Sequence, residues 1–158
     1  MTPPAKDDPT PQASPTGRRL VAGLLALLCA TVLSAGAALT PDERGYGTHT
    51  QINDEPSCGY MARTGWPCPA CGLTTSVSAM MHARVGLALR AQPFGVLLWA
   101  ALAAATVGGA VEAVTGRAVV SRLRPRWWWL AVAVALLLAG WGIHAGLGAM
   151  SGRFPVGR

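Results

Sequence analysis

Cys68-Pro69-Ala70-Cys71-Gly72-Leu73-Thr74-Thr75 is the stretch whose residue types and spacing can do chemistry. Two cysteines separated by two residues lie near enough in space to share a disulfide or a metal ion. Pro69 suits the first turn of a helix, where its missing N–H costs nothing. That arrangement puts Cys68 at a helix N-cap and Cys71 one turn in, with the helix dipole favouring thiolate on Cys68. This is the geometry of a dithiol redox centre. The same string fits a zinc knuckle, in which Gly72 lets the chain turn behind two thiolate ligands. Cys58, ten residues upstream, is placed to complete a three-sulfur metal site or to pair with either partner. In an oxidising compartment the simplest role is a structural staple, either a disulfide or a closed metal site. Cys-x-x-Cys alone does not separate that role from redox chemistry or from a functional metal. His49, His82 and His144 are the candidates for a fourth ligand, and zinc is the candidate ion.

The elements that must position these residues are apolar. The chain has 158 residues, 51% of them hydrophobic and 13% charged, with a net charge of +6. The apolar residues fall in three blocks, each long enough to cross a hydrocarbon layer of about 30 Å. The arginines cluster beside these blocks, so membrane topology explains the basic balance, and no aromatic-and-basic surface for nucleic acid is visible. The expected fold is an all-α integral membrane protein. It has three transmembrane helices and a short interfacial or re-entrant helix after the cysteine box.

Residues 1–19 are polar with five prolines, and read as a disordered cytoplasmic tail. Arg18 and Arg19 then abut the first span, 20–39. Ala35-Gly36-Ala37 also makes this block a candidate signal peptide, but the long polar leader favours a retained helix. Cys29 reads as a packing residue within it. Residues 40–93 form an exoplasmic loop. Thr40-Pro41-Asp42-Glu43 has capping-box spacing for one helical turn, and His49, Asp54 and Glu55 follow. Gly72 to Met81 carries small polar residues and is too short to span, so it lies in the interface or is tucked between longer helices. Val85 to Ala91 resumes a helical pattern, and Pro93 marks a kink or a new start.

The second span is 94–115, with Glu112 near its end and within reach of Arg117. The loop 116–126 holds Arg117, Arg122, Arg124 and Arg126, and the positive-inside rule makes it cytoplasmic. Trp127-Trp128-Trp129 at its edge reads as an interfacial belt. The third span is 127–150, and residues 151–158 form an exoplasmic tail. Gly142 and Gly146, four apart, are candidates for close helix packing. This topology puts the N-terminus in the cytoplasm and His144 on the side of the cysteines.

From Cys58 to about Leu98 the chain resembles the domain-of-unknown-function family 2752, small bacterial multi-pass membrane proteins. The matching elements are Cys58, Thr64-Gly65, the Cys68-Pro69-Ala70-Cys71-Gly72-Leu73-Thr74 box, His82 and Gln92-Pro93. The chain departs from the family pattern at Thr75, where Arg is frequent, at Arg84, where an acid is usual, and at Gln92, where Asn is usual. The resemblance implies a protein of two to four spans in a bacterial plasma membrane, and it implies no activity.

No Ser/His/Asp order, phosphate loop or paired carboxylates point to an enzyme. The first expectation is a non-enzymatic scaffold or accessory subunit. Its partners are the bilayer and, through glycine faces, itself or another membrane protein. The alternatives are a thiol-disulfide oxidoreductase or redox sensor using Cys68 and Cys71, and a metal-binding protein whose site joins the three cysteines to one histidine.

Overall fold

The computed structural model describes residues 14–53, 58–123 and 126–152. Most of the polar tail, Asp54, Glu55, Arg124 and the chain after Gly152 lie outside the described residues. The described residues are helical, joined by turns. The helices are α1 (Pro15–Ala38), α2 (Thr50–Asn53), α3 (Gly59–Thr64), α4 (Leu73–Met81), α5 (Val85–Ala91), α6 (Pro93–Thr115) and α7 (Trp127–Met150), with a 3-10 turn at Val120–Arg122. Three of them, α1, α6 and α7, are long and apolar enough to cross a membrane. The all-α, three-span expectation holds.

Each long helix has a local reason to begin where it does. Ser14 accepts the Gly17 N–H at 3.1 Å, and Pro15 occupies the first helical position, so α1 starts ahead of its apolar run and takes in Arg18 and Arg19. At α6, Gln92 is extended and Pro93 opens the helix. Its other end closes on Gly116 in the left-handed region, φ 73°, whose N–H returns to the Glu112 carbonyl.

α1 and α6 form the most extensive helix pair. At Gly109 a Cβ would stand 2.7 Å from the Ala22 carbonyl oxygen, so the two backbones approach as closely as glycine permits. The pair is fastened at one end by charge. Arg18 Nε lies 3.3 Å from Glu112 Oε1, and Arg18 donates to the Gly116 carbonyl at 2.6 Å. Arg19 donates to the carbonyls of Ala113 and Val114, both at 2.8 Å. The other oxygen of Glu112 accepts the N–H groups of Val119, Val120 and Ser121 at 2.9–3.0 Å. Arg18, and not the nearer Arg117, is thus the partner of Glu112. Glu112 is fully buried, so a carboxylate in that place needs several donors at once.

α4 is tucked against α1, α5 and α6. Thr75, Ser76, Val77, Ser78 and Ala79 are consecutive and all buried. Their hydroxyls explain how a polar helix fits there. Thr75 shares a 2.8 Å hydrogen bond with Thr48. Ser76 donates to the Gln92 carbonyl at 3.0 Å and Ser78 to the Leu39 carbonyl at 2.6 Å. Each small polar side chain therefore ties α4 to a different segment.

The expected helical turn at Thr40-Pro41-Asp42-Glu43 is absent. The Asp42 N–H goes instead to Thr48 Oγ1 at 3.0 Å, and its carboxylate pairs with Arg44 at 2.7 Å. The first helix of the loop is α2.

Candidate functional site

The cysteines are brought together by two reversals of the chain. Cys58 is the N-cap of α3. That helix ends at Gly65, φ 73°, whose N–H bonds the Met61 carbonyl at 2.8 Å, and the chain doubles back through Trp66 and Pro67. Cys68 to Gly72 is a tight turn in which the Cys71 N–H bonds the Cys68 carbonyl at 2.9 Å. Cys68 is therefore not a helix N-cap, as the position of Pro69 suggested. The N-cap of α4 is Gly72, at φ 90°. A Cβ there would stand 2.4 Å from the Ala91 carbonyl oxygen. The close approach of α5 holds Gly72 left-handed and delays the helix to Leu73.

The result is a cluster of three sulfurs. Cys68 Sγ is 3.0 Å from Cys71 Sγ and 3.8 Å from Cys58 Sγ, and all three lie within 4.8 Å of one another. Cys71 is buried, and the other two are partly so. Met61 and Tyr46 pack around them. Cys29 lies buried in α1, far along the chain from this loop.

The thiols differ in electrostatics. Burial pushes the Cys58 thiol up, but the N–H groups of Met61 and Tyr60 at the start of α3, with the neighbouring thiols, outweigh it. The net shift is below the ordinary thiol value. Burial raises Cys71 strongly, and the Cys68 sulfur beside it adds to the effect. Between these two, thiolate is favoured at Cys58.

The box is held from beneath by polar contacts with the long helices. Trp141 of α7 donates its indole N–H to the Pro67 carbonyl at 2.8 Å. The buried Gln92 amide reaches the carbonyls of Pro69 and Leu137 at 3.5 and 3.4 Å. His144 Nδ1 lies 3.2 Å from the Arg90 carbonyl, and so donates to it. Trp141 was not among the residues singled out by sequence. Its signal was an indole N–H inside an apolar span, a donor that needs an acceptor when buried.

Among the described residues, no histidine joins the three sulfurs. His82 closes α4, with Nδ1 2.8 Å from the Ser78 carbonyl. His144 is buried in α7 and bonds the Arg90 carbonyl, and His49 sits in the turn ahead of α2. On α7, the buried face carries Gly140, His144 and Gly148. Gly142 and Gly146 lie on another face, with nothing within 4 Å of where a Cβ would stand. Among the described residues that pair packs against no other helix.

The three departures from the family pattern also fall around this seam. Thr75 bonds Thr48, Arg84 pairs with Glu43, and Gln92 bridges the box and α7. No curated protein and no solved structure matches the chain. The family match starts just ahead of Cys58 and runs into α6, covering about a third of the chain. Over residues 56–106 the chain matches the model of the family described as protein of unknown function (DUF2752).

Proposed function

We propose that the protein is a membrane scaffold or accessory subunit whose loop is organised by a soft metal ion, zinc first, held by Cys58, Cys68 and Cys71. The convergence of three sulfurs within 4.8 Å carries this reading. A disulfide uses two thiols and leaves the third idle, whereas a thiolate metal centre uses all of them. A cation also relieves the repulsion that three adjacent thiolates would suffer. The ion would lock the α3 reversal onto the Cys68–Gly72 turn, and so onto Gln92 and Trp141.

The thiols and the arginines lie at opposite ends of the helices. Arg18 and Arg19 meet the C-terminal end of α6, while the box meets its N-terminal end. Positive-inside orientation then puts the N-terminus in the cytoplasm and the box outside, in the plasma membrane of a bacterium. α1 is retained in this reading. Cleavage after Ala37 would strip α6 of its main partner and remove Gly36 from beside Val77.

The test is metal analysis with thiol counting on protein purified in mild detergent. One bound ion per chain, with thiols that become reactive only after chelation, supports the metal centre. A metal-free chain with two thiols that appear only after reduction overturns it. That outcome favours a second reading, suggested by the 3.0 Å Cys68–Cys71 pair. In it one thiolate attacks a partner's disulfide, a neighbouring thiol resolves the mixed disulfide, and the partner leaves reduced while this chain is oxidised.

A further inference from the structure

The contact between α6 and α7 is confined. The two helices touch where Gly140 abuts Phe94, at the end near the cysteine box. Away from that point they leave a cavity of about 430 Å³, lined by Phe94, Leu98, Ala101, Trp128, Trp129 and Leu136 among others. Its wall is carbon on both sides. A cavity of that kind in a membrane span fits an acyl chain.

Its far end is not neutral. Trp128 and Trp129 line the cavity, and Arg126 precedes them as the N-cap of α7. Arg117 and Arg122 lie in the same connection between α6 and α7, and all three arginines are exposed. No acidic residue follows Glu112 in the sequence. Glu112 itself is consumed by Arg18 and by the N–H groups of Val119, Val120 and Ser121. None of the three arginines has an acidic partner among the described residues. Cations at the edge of an apolar cavity, beside interfacial indoles, are the complement of a molecule with an anionic head and a hydrocarbon tail.

We propose that the α6–α7 cavity binds one anionic glycerophospholipid, its acyl chain between the helices and its phosphate at the end that Arg126 caps, in a positive field to which Arg122 adds. The lipid supplies the packing that α6 and α7 do not give each other.

The full chain in detergent is titrated with phosphatidylglycerol, and separately with phosphatidylcholine of the same acyl chains, and followed by native mass spectrometry. The native chain should prefer phosphatidylglycerol. Arg122→Gln with Arg126→Gln should abolish that preference, at about fivefold per arginine. These side chains are exposed, so the change leaves the fold intact. Ala101→Trp, which fills the cavity, should weaken both lipids alike. Equal binding of the two lipids by the native chain overturns the proposal. An undiminished preference in the double variant does the same. A dimer that forms without lipid and excludes it assigns the cavity to a second copy, and also overturns it.

Discussion

The indole N–H of Trp141 reaches out of the third span to the carbonyl of Pro67, 2.8 Å away, immediately ahead of Cys68. Pro67 is fully buried, so no water replaces the donor once it is removed. Trp141→Phe should cost about 1–3 kcal/mol of stability in detergent. Trp127→Phe, at a side chain that is 83% exposed, should cost almost nothing. Denaturant titration of the two variants measures the difference, and equal midpoints would show that the bond contributes nothing.

Gly72 and Gly86 should respond to alanine with opposite signs. At Gly72 the backbone is left-handed and the new methyl meets the Ala91 carbonyl, so Gly72→Ala should lower stability by more than about 1 kcal/mol and expose the thiols. At Gly86, inside α5, nothing lies within 4 Å, and Gly86→Ala should be neutral or stabilise by up to about 1 kcal/mol. Thermal melting and maleimide labelling read both. A tolerant Gly72 would mean that α5 does not press on the box.

Glu112→Ala takes the carboxylate from beside Arg18 and leaves three N–H groups without their acceptor. The loss should be about 2–4 kcal/mol, with Arg18 partly solvated and therefore at the low end of buried pairs. Arg18→Gln in the same chain should add less than its single effect, because the partner is already gone. Full additivity in the double-mutant cycle would remove the coupling.

In metal-free protein the thiols should differ in order of attack. Cys58, below the ordinary thiol value and partly exposed, should alkylate first. Cys71, raised and buried, should alkylate last. Because the Cys58 value is depressed, its thiolate persists as pH falls, and its rate should decline less steeply than that of a free thiol with a pKa of about 8.5. Peptide mapping after timed N-ethylmaleimide quenching at several pH values gives the order. Cys71 reacting first would overturn it.

Much of the fold was legible because a bilayer fixes the length of what crosses it. The three apolar blocks read from the sequence are helices long and apolar enough to cross a membrane. α1 starts earlier than its apolar run because Ser14 and Pro15 make a competent helix start ahead of the arginines. The candidate site was legible as a set of cysteines, but not as a geometry. Pro69 favours a helix locally, yet Gly72 is held out of helical conformation by Ala91, a residue that arrives later in the chain. The thiolate favoured at Cys58 follows from the α3 helix start, whose N–H groups face that sulfur. The partner of Glu112 was misread for a similar reason. Arg117 is near in sequence, but Arg18 is brought near by the packing of α1 on α6.

The burial of α4 has a consequence for how the chain is made. A segment that short, carrying Thr75, Ser76 and Ser78, has no place in lipid alone, and its hydroxyls find acceptors only on Leu39, Thr48 and Gln92. α1 is synthesised well before Gln92 and α6 exist. The cysteine turn therefore cannot assume its final shape as it leaves the ribosome. Its contacts with Ala91 and Gln92 close only after the chain has been extended past α5.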